Sequence, residues 1–169
     1  MEYPPEGFVI PRDDGETTFG GHRTRTVALN KELTGHVAVS ISKVRPGILV
    51  PPHVHSREDE IWHIVSGKAM VMLGDQVYEA PEGSTVWRPR DQYHASWVPV
   101  GAPDTRIMTV LSPGGWEQAT TTYNQGRAGQ PFDEVSFKAM AEANGVNWDF
   151  DRGRSMAKEL GLRLMGEGT

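Results

Sequence analysis

Cysteine is absent from all 169 residues, which removes disulfide frameworks and thiolate zinc sites together and suits a reducing compartment. Positive charge is also in short supply. Seventeen Lys and Arg stand against 22 Asp and Glu, a formal net charge of -5, and they form no basic patch of the kind nucleic-acid binding uses. No window approaches the roughly 18 continuous apolar residues of a membrane span. The first residues, MEYPPEGFVIPRDDGE, carry no basic start followed by an apolar stretch of signal-peptide length. The expectation is a cytoplasmic protein that acts on a small molecule, with neither nucleic acid nor membrane as partner.

Turn formers, by contrast, are plentiful: 19 Gly and 12 Pro favour short strands over a helical bundle. HVAVSISKV (36–44) alternates apolar and polar positions, the period of a half-buried strand. Similar pieces follow at 53–55, 60–65, 68–73, 76–80, 84–89, 94–98 and 106–111, separated by Gly, Pro and Asp turns. About eight short strands between residues 27 and 112 predict an all-β antiparallel sandwich or barrel. Residues 1–25 read as an irregular N-terminal arm with one extended piece at Gly7 to Ile10. Residues 26–118 form the barrel, and residues 119–169 a C-terminal extension with short helices. Asp133 is the expected N-cap of one helix, stopped near Gly145, and a second spans Asp151 to Leu160 before Gly161.

The stretch GILVPPHVHSREDEIWHIVSG (47–67) carries the chemistry. Side chains alternate faces along a strand, so His53 and His55 point the same way. Glu60 follows a polar turn on the returning strand, where cross-strand pairing brings its carboxylate to the same interior point. His94, after the turn at residues 89–93, is the candidate third imidazole. Three imidazoles and a carboxylate suit one divalent transition metal ion (Fe, Ni, Mn, Co, Cu or Zn).

This spacing resembles the two motifs of the cupin superfamily. Gly47, His53, His55, Glu60 and Gly67 match the first motif at every position. Gly83, Pro89 and His94 match the second, while Asp91 and Val98 stand where the family pattern has Gly and Asn. The resemblance implies a small antiparallel jelly-roll β-barrel in which His53, His55, Glu60 and His94 bind one metal. HVHSREDEIWHIVSG with LSPGGWE (111–117) is further similar to single-domain cupins that include bacterial quercetin dioxygenases. The same scaffold also resembles one-domain polyketide cyclases. The implied function is a metal-dependent dioxygenase acting on a small aromatic or enolic substrate, with Glu60 as ligand or general base. A non-redox cyclase or isomerase and a binding module without turnover are the alternatives.

Trp62 and Ile64 share the parity of Glu60 and, with Met70 and Met72 on the next strand, are the expected substrate-pocket wall. His63 has opposite parity and reads as structural, and His22 and His36 fall in no recognised spacing. Glu58 and Asp59 read as a solvated turn, Glu58 being a second-choice ligand. PGGWE is set aside as a phosphate loop because it lacks a strand, turn and helix context. Ser56, Ser66 and Ser96 lack a nucleophile-elbow setting. The arm is expected to lie across a neighbouring barrel in a homodimer, covering exposed strand edges.

Overall fold

A computed structural model describes the backbone of residues 16–19, 22–28 and 35–167 and the side chains of residues 35–167. The extended piece expected at Gly7 to Ile10 lies outside the described residues. The expected run of strands is present. It comprises β1 (Glu16–Phe19), β2 (His22–Ala28), β3 (Ala38–Val44), β4 (Ile48–His55), β5 (Asp59–Ser66), β6 (Lys68–Leu73), β7 (Gln76–Pro81), β8 (Thr85–Arg88), β9 (His94–Trp97) and β10 (Thr105–Ser112). The C-terminal segment adds α1 (Trp116–Gly126), α2 (Glu134–Ala143), β11 (Val146–Trp148), α3 (Phe150–Leu160) and β12 (Arg163–Leu164).

The strands form two sheets, ordered β1-β2-β3-β10-β5-β8 and β11-β4-β9-β6-β7, with β12 alongside β4. From β3 to β6 each strand passes to the opposite sheet, so residues close in sequence face one another across the interior. The pairings are antiparallel except β12 with β4. Alternation along β5 buries Glu60, Trp62 and Ile64 and turns the residues between them outward. An apolar cluster of Val44, Trp62, Ile64, Ala69, Val71, Ala80, Val98 and Ile107 draws on both sheets. Gly67 makes the β5–β6 turn at φ +83°, and a Cβ there would meet Thr105 Oγ1 at 2.7 Å and Thr105 Cα at 3.1 Å, so glycine is required twice over. Part of the expected irregular arm is regular: residues 16–19 and 22–25 lie in an antiparallel hairpin that extends the first sheet through β2 and β3.

Two of the C-terminal helices begin and end as the capping residues predict. Asp133 accepts from Val135 N and Ser136 N at the start of α2, and Gly145 follows it at φ +82°. Helix α3 starts one residue before the expected Asp151, with Asp149 as its N-cap, and Gly161 closes it in the left-handed conformation. Helix α1 gave no such signal, because its N-cap is Gly115 with no capping side chain. The segment is more than helical. β11 and β12 cover the side of β4 that β9 leaves open, which removes a free strand edge beside the His53/His55 pair.

β4 needs that support because Pro51 and Pro52 have no N–H to give the ladder. The β4–β9 register breaks between Val50 and His53, where the two prolines sit, and Asp149 N donates to the Pro52 carbonyl instead. Helix α3 presses on the same point through Gly153, whose missing Cβ would lie 2.9 Å from Pro51 Cβ and 3.0 Å from Leu164 Cδ1. Among the described residues no helix is long and apolar enough to cross a membrane.

Alanine in place of Gly153 is favoured by helix propensity by about 1 kcal/mol, yet the rigid proline ring leaves no room, and overpacking costs about 1–3 kcal/mol. Gly153→Ala is therefore expected to lower unfolding free energy in urea titration. A gain in stability would show that α3 does not sit against β4 this tightly.

Candidate metal centre

Each of the three histidines has one ring nitrogen already engaged. His53 Nδ1 lies 2.8 Å from the Pro51 carbonyl oxygen and His94 Nδ1 3.0 Å from that of Gln92. A carbonyl only accepts, so both Nδ1 atoms carry the proton. His55 Nδ1 is 3.2 Å from Glu58 Oε2 and donates to that carboxylate. The free lone pairs are then all on Nε2. His53 Nε2 and His94 Nε2 face each other at 3.1 Å, two acceptors with no proton between them. Glu60 Oε2 lies 3.6 Å from His94 Nε2 and 4.0 Å from His55 Nε2.

Such a cage repels itself unless a cation sits within it. The four ligand atoms lie within 4.8 Å of one another and all four residues are buried. Ligand bonds of about 2.0–2.2 Å to a common ion would give separations of this order. His55 Nε2 and Glu60 Oε2 have no hydrogen-bond partner, as ligands awaiting an ion would. The residues fit a divalent transition metal. Burial, then the charge of Arg88, then the neighbouring imidazoles hold His53 and His94 well below the ordinary imidazole range, so both are neutral and ready to ligate at pH 7.

Glu60 is held from both sides. Trp62 Nε1 donates to Oε1 at 2.7 Å, and Arg88 Nη1 forms an ion pair with Oε2 at 3.2 Å. The Arg88 guanidinium lies 4.2 Å from the centre of the Trp62 ring. Arg88 is 1% exposed; burial lowers its pKa and the charge of Glu60 opposes that shift.

The centre opens on a cavity of about 160 Å³. Trp62, Trp97, Trp116 and Trp148 are among its lining residues, and α1 contributes Glu117, Thr120, Thr121 and Asn124. Trp148 stacks on His53 with ring centres 4.0 Å apart.

The cupin domain family model matches residues 40–111, the span that supplies all four candidate ligands. The chain carries a cupin domain. Solved structures agree on the fold. KdgF from Halomonas sp. superposes with a TM-score of 0.57 at 22% identity, covering 67% of this chain and 98% of that one. An RmlC-like cupin from Shewanella frigidimarina gives 0.55 at 15%, covering 67% and 96%. Pac13, a nucleoside dehydratase, gives 0.52 at 11%, covering 68% and 88%. None of the curated proteins compared matches the chain.

The two departures from the cupin motif are accommodated locally. Asp91, at the Gly position, is the one non-glycine of positive φ among the described residues, at 62°, and its N–H donates to the His55 carbonyl at 2.7 Å. Val98, at the Asn position, is buried in the inter-sheet cluster.

The structure brings His53, His55, Glu60 and His94 together and sets Trp62 in the cavity wall. The other three expected wall residues are elsewhere. Ile64 is enclosed in the inter-sheet cluster, and Met70 and Met72 occupy the face of β6 opposite Ala69 and Val71, packed in the cluster that the C-terminal elements cover. Glu58 is a correction too. Far from being solvated, it is 3% exposed and orients His55. Asp59 is at the surface, gripped by Arg90 through N, Nε and Nη2. PGGWE does lie between a strand and a helix, β10 and α1, but Glu117 Oε2 already takes the Gly115 N–H, so it offers no vacant anion seat. His63, facing away, bonds Thr85 Oγ1.

Carboxylates behind metal-binding imidazoles raise metal affinity 10- to 100-fold. Glu58→Gln is expected to weaken zinc binding by that order in competition titration and to shrink the zinc-induced rise in Tm; unchanged affinity would remove Glu58 from the centre. The Arg90 bonds, side chain before backbone, hold Asp59 down at about 2 from an ordinary 3.8. A depressed carboxyl contributes stability above its unfolded pKa and loses it as pH falls through the folded one. The Tm gap between wild type and Asp59→Asn is thus expected to be full above about pH 4 and to close toward pH 2. A gap constant over that range would refute the assignment.

Proposed function

We propose that this cupin is a metal-dependent enzyme, in first place a dioxygenase, acting on a small flat substrate with an enolic or catechol-type oxygen pair. The observation that carries the reading is the convergence of three fixed Nε2 lone pairs and one carboxylate on a tryptophan-walled cavity. His53, His55, Glu60 and His94 would hold one divalent ion. Bound there, a redox-active ion would supply the means of joining an electron-rich substrate with O2.

The chain's own contribution is positioning and proton transfer. Trp116, in the cavity wall, would give a flat ring a surface to pack on, whereas a face of Trp62 is taken by Arg88 and a face of Trp148 by His53. Glu60, paired with Arg88 and oriented by Trp62, would take the substrate hydroxyl proton at Oε2, the oxygen not bonded to Trp62, on swinging off the ion. α1 forms part of the cavity wall through Trp116, Glu117, Thr120, Thr121 and Asn124. The same proton-transferring carboxylate would serve a non-redox dehydration, cyclisation or isomerisation. The fold likeness to a nucleoside dehydratase keeps that as the second reading.

Oxygen uptake by protein loaded with Fe, Ni or Co, measured on a panel of small enols and catechols, is expected to track substrate loss. Glu60→Gln is expected to retain about one metal per chain and to slow turnover at least 100-fold, the scale of a lost general base. Substrate loss that proceeds equally under argon would replace the dioxygenase reading with the non-redox one. Binding without product would leave a binding module.

A further inference from the structure

Six buried side-chain polar atoms of the described residues have no hydrogen-bond partner: His55 Nε2, Glu60 Oε2, Arg88 Nε and Nη2, Ser96 Oγ and Trp148 Nε1. All belong to residues that line the one cavity. The first two are acceptors and are accounted for by an ion. The other four carry hydrogens to donate, and each such residue lies beside a ligand. Arg88 pairs across the strands with Glu60, Trp148 with His53, and Ser96 follows His94 by two residues on the same face of β9.

Buried donors without acceptors are costly to leave unmet. The cavity therefore asks its occupant for oxygen acceptors. Arg88 specifies their form. Its Nη1 faces Glu60 and its plane lies over Trp62, which leaves Nε–H and the adjacent Nη2–H as a parallel pair, the edge that grips a carboxylate with two bonds. Glu117, on the α1 side, is engaged with Gly115 N–H and a further partner.

We propose that the substrate is a small organic acid. Its oxygen pair meets the ion, and a separate carboxylate is received by Arg88, with Ser96 and Trp148 donating to remaining oxygens. This rests on the metal-centre reading above and narrows its substrate class.

The test uses zinc-loaded protein, which binds without turnover, and two matched probes, 3,4-dihydroxybenzoate and 3,4-dihydroxybenzamide. Tryptophan fluorescence and calorimetry read their affinities after metal content is measured. The acid is expected to bind at least ten-fold more tightly than the amide. In Arg88→Met, loaded to the zinc content of wild type, that preference should fall to near unity. Should Arg88→Met fail to fold, Ser96→Ala replaces it, with a three-fold or greater loss confined to the acid. Equal binding of the two probes by wild type, binding of neither, or a preference that survives these substitutions overturns the proposal. A wild-type protein that takes up no zinc overturns the metal-centre reading and this one together, whereas one zinc per chain without discrimination overturns only this one.

Discussion

The structure depends on where three protons sit. Each histidine of the centre commits its Nδ1–H to an acceptor on its own stretch of chain, Pro51 O, Glu58 Oε2 or Gln92 O, and this leaves three Nε2 lone pairs pointing inward. An inward lone pair is a defect in an apolar interior and a ligand beside an ion. The rest of the fold keeps those rings from turning. His53 is wedged between Trp148 and His94, and His55 stands edge-on to Trp116. An ion entering this cage needs only small ligand shifts from atoms already within 4.8 Å of one another, so little of its binding energy is spent on ordering side chains.

β4 is where that rigidity is hardest to obtain. Its paired prolines set the direction of the chain before His53 but forfeit two ladder bonds. The C-terminal segment replaces them from outside the barrel, through β11 and β12, the Asp149 bond to Pro52 O and the close seat of Gly153. Met165 N and Arg163 N likewise donate to Leu49 and Gly47. Residues more than 90 positions along the chain thus fix the strand that carries two of the four candidate ligands. The cluster around Phe137, Trp148 and Phe150 binds this brace to the sheet with apolar area rather than with further polar bonds.

What the sequence could reveal followed the range of each interaction. The strand series, the caps at Asp133 and Gly161 and the clustering of the four candidate ligands depend on local period and spacing, and local patterns are written in neighbouring residues. Glu58 looked solvated because Ser56 to Asp59 is a polar turn. Its surroundings come from residues far away: a Cβ at Gly115, before α1, would lie 3.8 Å from Glu58 Oε1, and the turn is tied down where Ser56 bonds Gly145 and Arg57 bonds Ala143. Met70 and Met72 were placed on the wrong side for the same reason, since both faces of β6 are covered and parity alone does not say which cover is the cavity. Arg88 had no signal at all. A lone arginine before a proline reads as surface, and only the β5–β8 register, which sets it opposite Glu60, reveals that it is enclosed.

Arg88 also explains why the centre needs two carboxylates. Burial and, after it, the charge of this guanidinium keep His53 and His94 from holding protons, which favours ligation, but by the same field the guanidinium opposes an arriving cation. Glu60 cancels that field at 3.2 Å and still presents Oε2 to the imidazoles. Glu58, behind His55, adds negative charge without occupying a ligand position. With Glu60 shared between Arg88 and the ion, and Glu58 tightening His55, cation binding and proton exclusion no longer conflict. The arginine is then left with two N–H groups that no residue of the described chain meets, and selectivity for what enters the cavity follows from that remainder.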